Sequence, residues 1–253
     1  MRVFVVILFF FYSLHLFAEL PSGSTTISGD VSLTTDDQTL TIQQQSDQAI
    51  IEWNSFNIGE NNTVTFNQPS AAASALNRVI SGNPTTLAGV LNANGKVFVV
   101  NENGVYFTPT SIINAHSFAA STLALSNDDF LNNKLLFKLD DVDNIFSSIV
   151  HKGSITTLDG GFTALLGGAV DNEGTINANL GKIGIGAGKE IILDLSGDKF
   201  LQVSIPFNEA ITLLDQNAEE LSTIINHAGT STGNRIDIDV GAAKNVVQRA
   251  VNI

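Results

Sequence analysis

The sequence contains no cysteine, one methionine, one tryptophan and five prolines among 253 residues. Without cysteine there is no disulfide framework, no thiolate nucleophile and no Cys-ligated zinc. Basic side chains are also scarce: 12 Lys and Arg stand against 25 Asp and Glu, a net charge of −13. That balance argues against a nucleic-acid binder, which needs Lys and Arg to replace phosphate counterions. Charged residues make up only 15% of the chain and hydrophobic ones 43%. Such a composition is too apolar for a disordered acidic tail, and the length suffices for one large core or two small ones.

The longest apolar run is at the start. Met1-Arg2 is followed by Val3 to Tyr12 (VFVVILFFFY), and Ser13 to Phe17 lead to the small residue Ala18. This is the three-part plan of a secretory signal peptide cleaved after Ala18, which sends the chain through the Sec translocase. A transmembrane anchor is the competing reading. The run is close to the lower limit of about 17 residues for a span, and polar sequence follows at once. Residues 1–18 hold one basic side chain, Arg2, and five of the 16 phenylalanines. The expected mature chain is therefore more acidic and less apolar than the whole. No later run is long enough to span a membrane.

From Glu19 to about Lys152 short strand-like runs are divided by Asn, Gly, Ser and Asp. Thr39-Leu40-Thr41-Ile42, Ala49 to Trp53, Thr63 to Phe66 and Lys96 to Val100 are examples. Their alternation is the period-2 signature of half-buried strands. Farther on a repeat appears. Lys152-Gly153-Ser154-Ile155-Thr156 recurs as Glu173-Gly174-Thr175-Ile176-Asn177, a third copy starts at Ala228-Gly229-Thr230, and Gly160 to Leu166 is echoed from Gly181. A period near 20 residues predicts a solenoid with one coil per repeat. The spaced Leu and Asn of a leucine-rich horseshoe are missing, so the expected fold is all-β, a single-stranded parallel β-helix. One element breaks the pattern. Ile211, Leu214, Ala218, Leu221 and Ile225 fall at spacings of 3 and 4 behind Asn208, predicting an amphipathic helix near 209–225. Asp128-Asp129 before Phe130 reads as the start of a short helix, and Ile236, Ile238 and Val240 alternate with Asp237 and Asp239 as a strand with one wet face. The chain stops at Ile253 just after an apolar run, so a partner or further coils are expected there.

Residues 20–135 resemble the secretion domain of filamentous haemagglutinin-like exoproteins, the two-partner-secretion family. The resemblance runs in order through Leu20-Pro21-Ser22-Gly23, Thr39 to Gly59, Val64 to Ser70, Leu76-Asn77-Arg78-Val79, Asn83-Pro84, Ala93 to Phe107 (ANGKVFVVNENGVYF) and Ala120 to Leu123. Gly160 to Gly188 is similar to the β-helix that follows in the adhesin branch. The family's Asn-Pro-Asn-Gly motif reads Asn101-Glu102-Asn103-Gly104 here, and its Asn-Pro-Asn-Leu motif has no copy. The resemblance implies a right-handed β-helix with an N-terminal cap. It divides the chain into a signal peptide (1–18), a secretion domain that begins the helix (19–152) and further coils of the same solenoid (153–253). It also implies recognition by an outer-membrane β-barrel transporter and export to the cell surface or medium.

Asn101, Glu102, Asn103 and Gly104 are the candidate transporter-recognition motif within a surface formed by residues 39–107; the competing reading is a solenoid corner built from ordinary turn residues. Trp53, Phe56, Asn77, Arg78, Asn94 and Gly95 are expected to be structural, with the two aromatics in the core or cap. His116, His151 and His227 lack the spacing of a metal pair and read as incidental. Asp140 to Asn144 lacks the Gly and distal Glu of a calcium loop and reads as a solvated acidic stretch. No cofactor or metal is expected. A β-helix enzyme acting on polysaccharides would gather carboxylates with Lys or Arg on one face, and no such motif surrounds Arg78, Lys96, Lys182 or Lys189. A non-enzymatic secretion module is the leading expectation. The alternative is a standalone surface protein binding glycans or host cells.

Overall fold

The computed structural model describes residues 19–139, 147–197, 199–205, 224–240 and 251–252. The signal segment 1–18, the acidic stretch 140–144 and nearly all of the amphipathic segment 209–225 lie outside them. At its far end, Ile225 opens a strand.

β-Branched and aromatic residues in short runs, each ended by Asn, Gly or Ser, fold as strands wound into successive rungs. Two strands, β1 (Thr25–Ser28) and β2 (Val31–Asp36), come before the first rung, which holds β3 (Thr39–Gln44) and β4 (Gln48–Trp53). The second rung has β5 (Thr63–Asn67), β6 (Ser74–Val79) and β7 (Thr85–Leu87), and the third β8 (Val90–Ala93), β9 (Lys96–Val100) and β10 (Val105–Phe107). In the fourth, β11 (Ile112–Ala115) and β12 (Ser117–Ser121) lead to an excursion through β13 (Ala124–Leu125), helix α1 (Asn127–Leu131) and β14 (Leu135–Lys138). The rung closes with β15 (Ser148–His151). β16 (Ser154–Thr157), β17 (Phe162–Gly167) and β18 (Ala169–Asn172) form the fifth. In the sixth, β19 (Thr175–Ala187) runs along two sides, β20 (Glu190–Leu193) and β21 (Leu201–Ile205) leave the solenoid, and β22 (Ile225–His227) rejoins it. β23 (Thr230–Val240) and β24 (Val251–Asn252) begin the seventh.

Stacking of rungs gives three parallel faces. The first is β3-β5-β8-β11-β16 and the leading halves of β19 and β23; the second is β4-β6-β9-β12-β17 and their trailing halves; the third is β7-β10-β15-β18-β22-β24. The chain is thus a parallel β-helix, and the pairs β10–β15, β11–β16 and β12–β17 carry it across residue 152 without a break. The repeat seen in the sequence is the rung itself: Ser154 pairs with Thr175, and Thr175 with Thr230. At that corner Thr175 N donates to Gly153 O at 2.9 Å and Thr230 N to Gly174 O at 3.0 Å. A Cβ on Gly174 would collide with Gly153 O and the His151 ring, and one on Gly229 with Gly174 O, so only glycine lets the rungs close up there.

β1 and β2 run antiparallel to β4 and β3 and form the N-terminal cap. Face one alternates buried and exposed residues, as in Leu40, Ile42, Val64 and Phe66 against their polar neighbours. Face two does not alternate: β12 and β17 are buried throughout. The reason is a second apolar core on its outer side. There β13, β14, β20 and β21 form an antiparallel sheet that, with Phe130 of α1, covers Ile50, Leu76, Phe98, Ala119 and Phe162. Strands covered on both sides read as continuous apolar runs. The short helix expected at Asp128-Asp129 is α1, whose amide at Asp129 donates to the Ser126 cap hydroxyl at 3.1 Å. Phe130 stacks edge-on against Phe98 at 5.7 Å. On β23 the alternation expected from the sequence fails at Ile236, which is 42% exposed, whereas Ile238 and Val240 pack partly on the core. Among the described residues no further strand lies beyond β23 on this sheet.

Candidate functional site

The turn 101–104 joins faces two and three in the third rung. Gly104 N donates to Asn101 O at 3.1 Å, which makes a four-residue turn, and Gly104 adopts φ 121°. The Asn101 side chain is fully buried. Its amide donates to Asn83 O and Thr85 Oγ1, both at 2.9 Å, and its Oδ1 accepts from Asn103 N at 2.9 Å. Asn103 is exposed, yet its amide donates to Ser81 O at 2.9 Å and so ties the turn to the preceding rung. Asn101 is thus a corner clamp with no surface to offer a partner. Glu102 is half-buried and, with Arg78, Leu125, Ser126 and Asp128, lines an open groove of about 430 Å³ beside α1.

The residues expected to be structural make three ladders between rungs. Trp53 Nε1 donates to Asn77 Oδ1 at 3.0 Å, and Asn77 Nδ2 donates to Phe98 O at 3.3 Å, so one fully buried amide joins three consecutive rungs. Phe56 meets Trp53 edge-on at 5.3 Å. Arg78 has partners that the sequence did not suggest. It pairs with Glu52 at 3.3 Å, its neighbour across β4 and β6, and donates to Leu125 O, fastening the excursion to face two. At the corner between faces one and two, Asn94 exchanges two bonds of 2.7 Å with the Gln68 backbone. A Cβ on Gly95 would collide with Gln68 Oε1 and Ala73 O.

Two of the three histidines are brought together, contrary to the sequence reading of them as incidental. His151, Asn172 and His227 occupy one register position on adjacent strands of face three. His151 Nδ1 lies 2.6 Å from Asn172 Oδ1, and Asn172 Nδ2 lies 2.6 Å from His227 Nδ1. With the Asn172 amide in this orientation, its oxygen needs a proton on His151 Nδ1 and its nitrogen a bare His227 Nδ1. His151 Nε2 is then a buried lone pair with no partner. Burial pushes the His151 imidazole below its ordinary range, partly opposed by the Asn172 bond, and burial lowers His227 as well. A base whose folded pKa is depressed contributes stability above its unfolded value of about 6.5, and loses it as the pH falls below that value. The urea midpoint is therefore expected to drop between pH 7.5 and pH 5. In His151→Leu that drop should shrink, and an equal drop in the variant would contradict the assignment. His116 stands apart, on the corner before Ser117, 3.2 Å from its hydroxyl.

Among the described residues no group of three His, Asp or Glu is placed to hold a metal ion. What the geometry offers instead is a stack of clamped corners with a capped first end.

The model of the TPS secretion domain matches residues 18–253. Over 205 residues the chain is 36% identical to the heme/hemopexin-binding protein of Haemophilus influenzae strain Rd, an alignment covering 79% of this chain and 22% of that protein. A second H. influenzae protein of the same name is 41% identical over 121 residues, 47% of this chain and 13% of its own. The chain therefore spans less than a quarter of the length of these relatives. Among solved structures, the HMW1 secretion domain of H. influenzae superposes with a TM-score of 0.67 at 30% identity, covering 87% of this chain and 57% of that one. The filamentous hemagglutinin secretion domain superposes with a TM-score of 0.51 at 13% identity, covering 92% and 98%, and shares the fold alone. The family model takes in the cap, the clamped corners and the later rungs together, and the chain belongs to the TPS secretion domain family.

Proposed function

We propose that this chain is the secretion module of an adhesin-like exoprotein. A signal peptide at 1–18 takes it through the Sec translocase, and an outer-membrane two-partner-secretion transporter then passes it to the cell surface or medium. The observation that carries the reading is the family match over residues 18–253, which takes in every rung of the solenoid. The family is one of secretion domains rather than of enzymes, and the module acts by being recognised. Absence of cysteine suits this route, because no disulfide can lock the chain before it crosses a narrow barrel.

Within the motif, recognition falls to Glu102 and the outer face of Asn103, since Asn101 is spent inside the corner. Glu102→Lys reverses a charge that lines the groove, and its urea midpoint is measured beside the wild type so that binding is compared on folded chains. Binding of the full chain to detergent-solubilised cognate transporter should weaken. Failure of the wild-type chain to form any complex would contradict the function, and unchanged binding of Glu102→Lys would remove the motif from it. Heme and hemopexin binding is named for the longer relatives as whole proteins. His151 and His227 are both buried in the third face, so neither presents an imidazole at the surface of this module.

A further inference from the structure

Among the described residues, strands paired on one side only lie at the two ends of the solenoid and at β13 and β21 of the covering sheet. Every strand between residues 39 and 107 is bonded on both sides, β7 being closed on its outer side by a bridge from Ile58 to Leu87. An exporting partner that pairs with the folded domain must therefore use a strand outside that span. The large sheet path ends in β1 and β2. β1 is interrupted by a bulge between Thr26 and Ser28, a device that blunts a sheet edge. β2 has no such interruption. Its register with β3 runs unbroken from Val31 opposite Gln44 to Asp36 opposite Thr39. The sequence of β2, VSLTTD, has none of the Pro or Lys that usually protect an edge.

The hydrogen-bond phase says which groups are available. Gln45 N donates to Asp30 O at 2.9 Å, which puts the even-numbered residues of this strand in the bonded pairs with β3. The N–H and C=O groups of Val31, Leu33 and Thr35 consequently point away from β3, and among the described residues no strand pairs with them. Val31 and Leu33 pack partly on the core, so the edge is anchored. Asp30, Asp36 and Asp37, all exposed, bracket it with negative charge. At the opposite end of the solenoid β23 also has no further strand on this sheet among the described residues, but there the chain goes on to place β24 on face three.

We propose that the outer edge of β2 is where the outer-membrane transporter docks, by adding a strand of its own that carries Lys or Arg opposite these aspartates. Main-chain bonds to Val31, Leu33 and Thr35 supply the attachment, and the bracketing carboxylates select a basic strand and make the complex sensitive to salt. This rests on the transporter reading above.

The test uses the full chain and the detergent-solubilised cognate transporter. Thr35→Pro deletes one outward N–H and puts a ring on the edge while sparing the bonds to β3, which pass through the even residues. Thr35→Val keeps the N–H and serves as control. Affinity is expected to fall about tenfold or more in Thr35→Pro, with thermal melting unchanged, and to stay at the wild-type level in Thr35→Val. Should Thr35→Pro fail to fold, the double variant Asp30→Lys, Asp36→Lys asks the same question through charge, and is expected to weaken binding at low salt. Wild-type affinity in the folded variants would overturn the edge assignment while leaving the transporter reading intact. It would also be overturned by a wild-type dimer that Thr35→Pro disperses without changing transporter binding, since the edge would then belong to a second copy of the chain. A wild-type chain that neither binds the transporter nor is exported by it would overturn both readings.

Discussion

Replacing Trp53 with alanine is expected to lower the stability of the folded chain by about 3–5 kcal/mol, the range for removing a large buried aromatic. Trp53 is 1% exposed, packs edge-on against Phe56 and donates to the fully buried Asn77. Trp53→Ala therefore opens a cavity in the first rung and orphans the Asn77 amide oxygen in the second. Trp53→Phe separates the two effects. It keeps most of the ring volume but leaves Asn77 Oδ1 without a donor, at a cost of about 1–3 kcal/mol. The measurement is the urea midpoint followed by far-UV circular dichroism, because Trp53 is the only tryptophan and its fluorescence disappears with it. A midpoint unchanged in Trp53→Ala would mean that the first rung is not part of the cooperative unit.

Asn101→Ala is expected to cost about 2–4 kcal/mol, because a lost buried partner leaves roughly 1–3 kcal/mol of unmet hydrogen bonding per group. The substitution orphans Thr85 Oγ1 and Asn103 N at the corner, and takes a donor from Asn83 O. Glu102→Ala in the same turn should cost less than Asn101→Ala, because Glu102 is half-buried whereas Asn101 is fully buried. This contrast matters for any export experiment on the motif. A loss of secretion in Asn101→Ala reports a damaged corner, whereas a loss in a Glu102 variant of unchanged stability reports recognition. Equal destabilisation by the two substitutions would contradict the division of roles within the turn.

The period of the solenoid was legible because Gly153-Ser154 and Gly174-Thr175 lie one rung apart at a corner that only glycine fits. Strand positions were legible on face one, where Leu40, Ile42, Val64 and Phe66 alternate with polar residues. Face two was harder, since runs such as FTALLG are buried on both sides and carry no period. The antiparallel sheet that covers it joins residues 124–138 to 190–205, and no local pattern announces a pairing of that range. The His151–Asn172–His227 ladder escaped for a related reason. Its first step is the 21-residue repeat, but the next spans 55 residues because an excursion intervenes, so spacing rules for metal pairs point elsewhere. In the candidate motif the residue types were legible and their orientation was not. Nothing in Asn101-Glu102-Asn103-Gly104 reveals that the first asparagine turns inward while the glutamate lines a groove.

Export by a dedicated transporter is the claim on which the rest depends. The direct measurement is to express residues 1–253 in a Gram-negative host with and without the cognate transporter, and to assay medium, cell surface and periplasm for the chain. Appearance outside the cell only when the transporter is present is the result expected of a two-partner secretion module. Retention in the periplasm in both cases, or equal release in both, would contradict it.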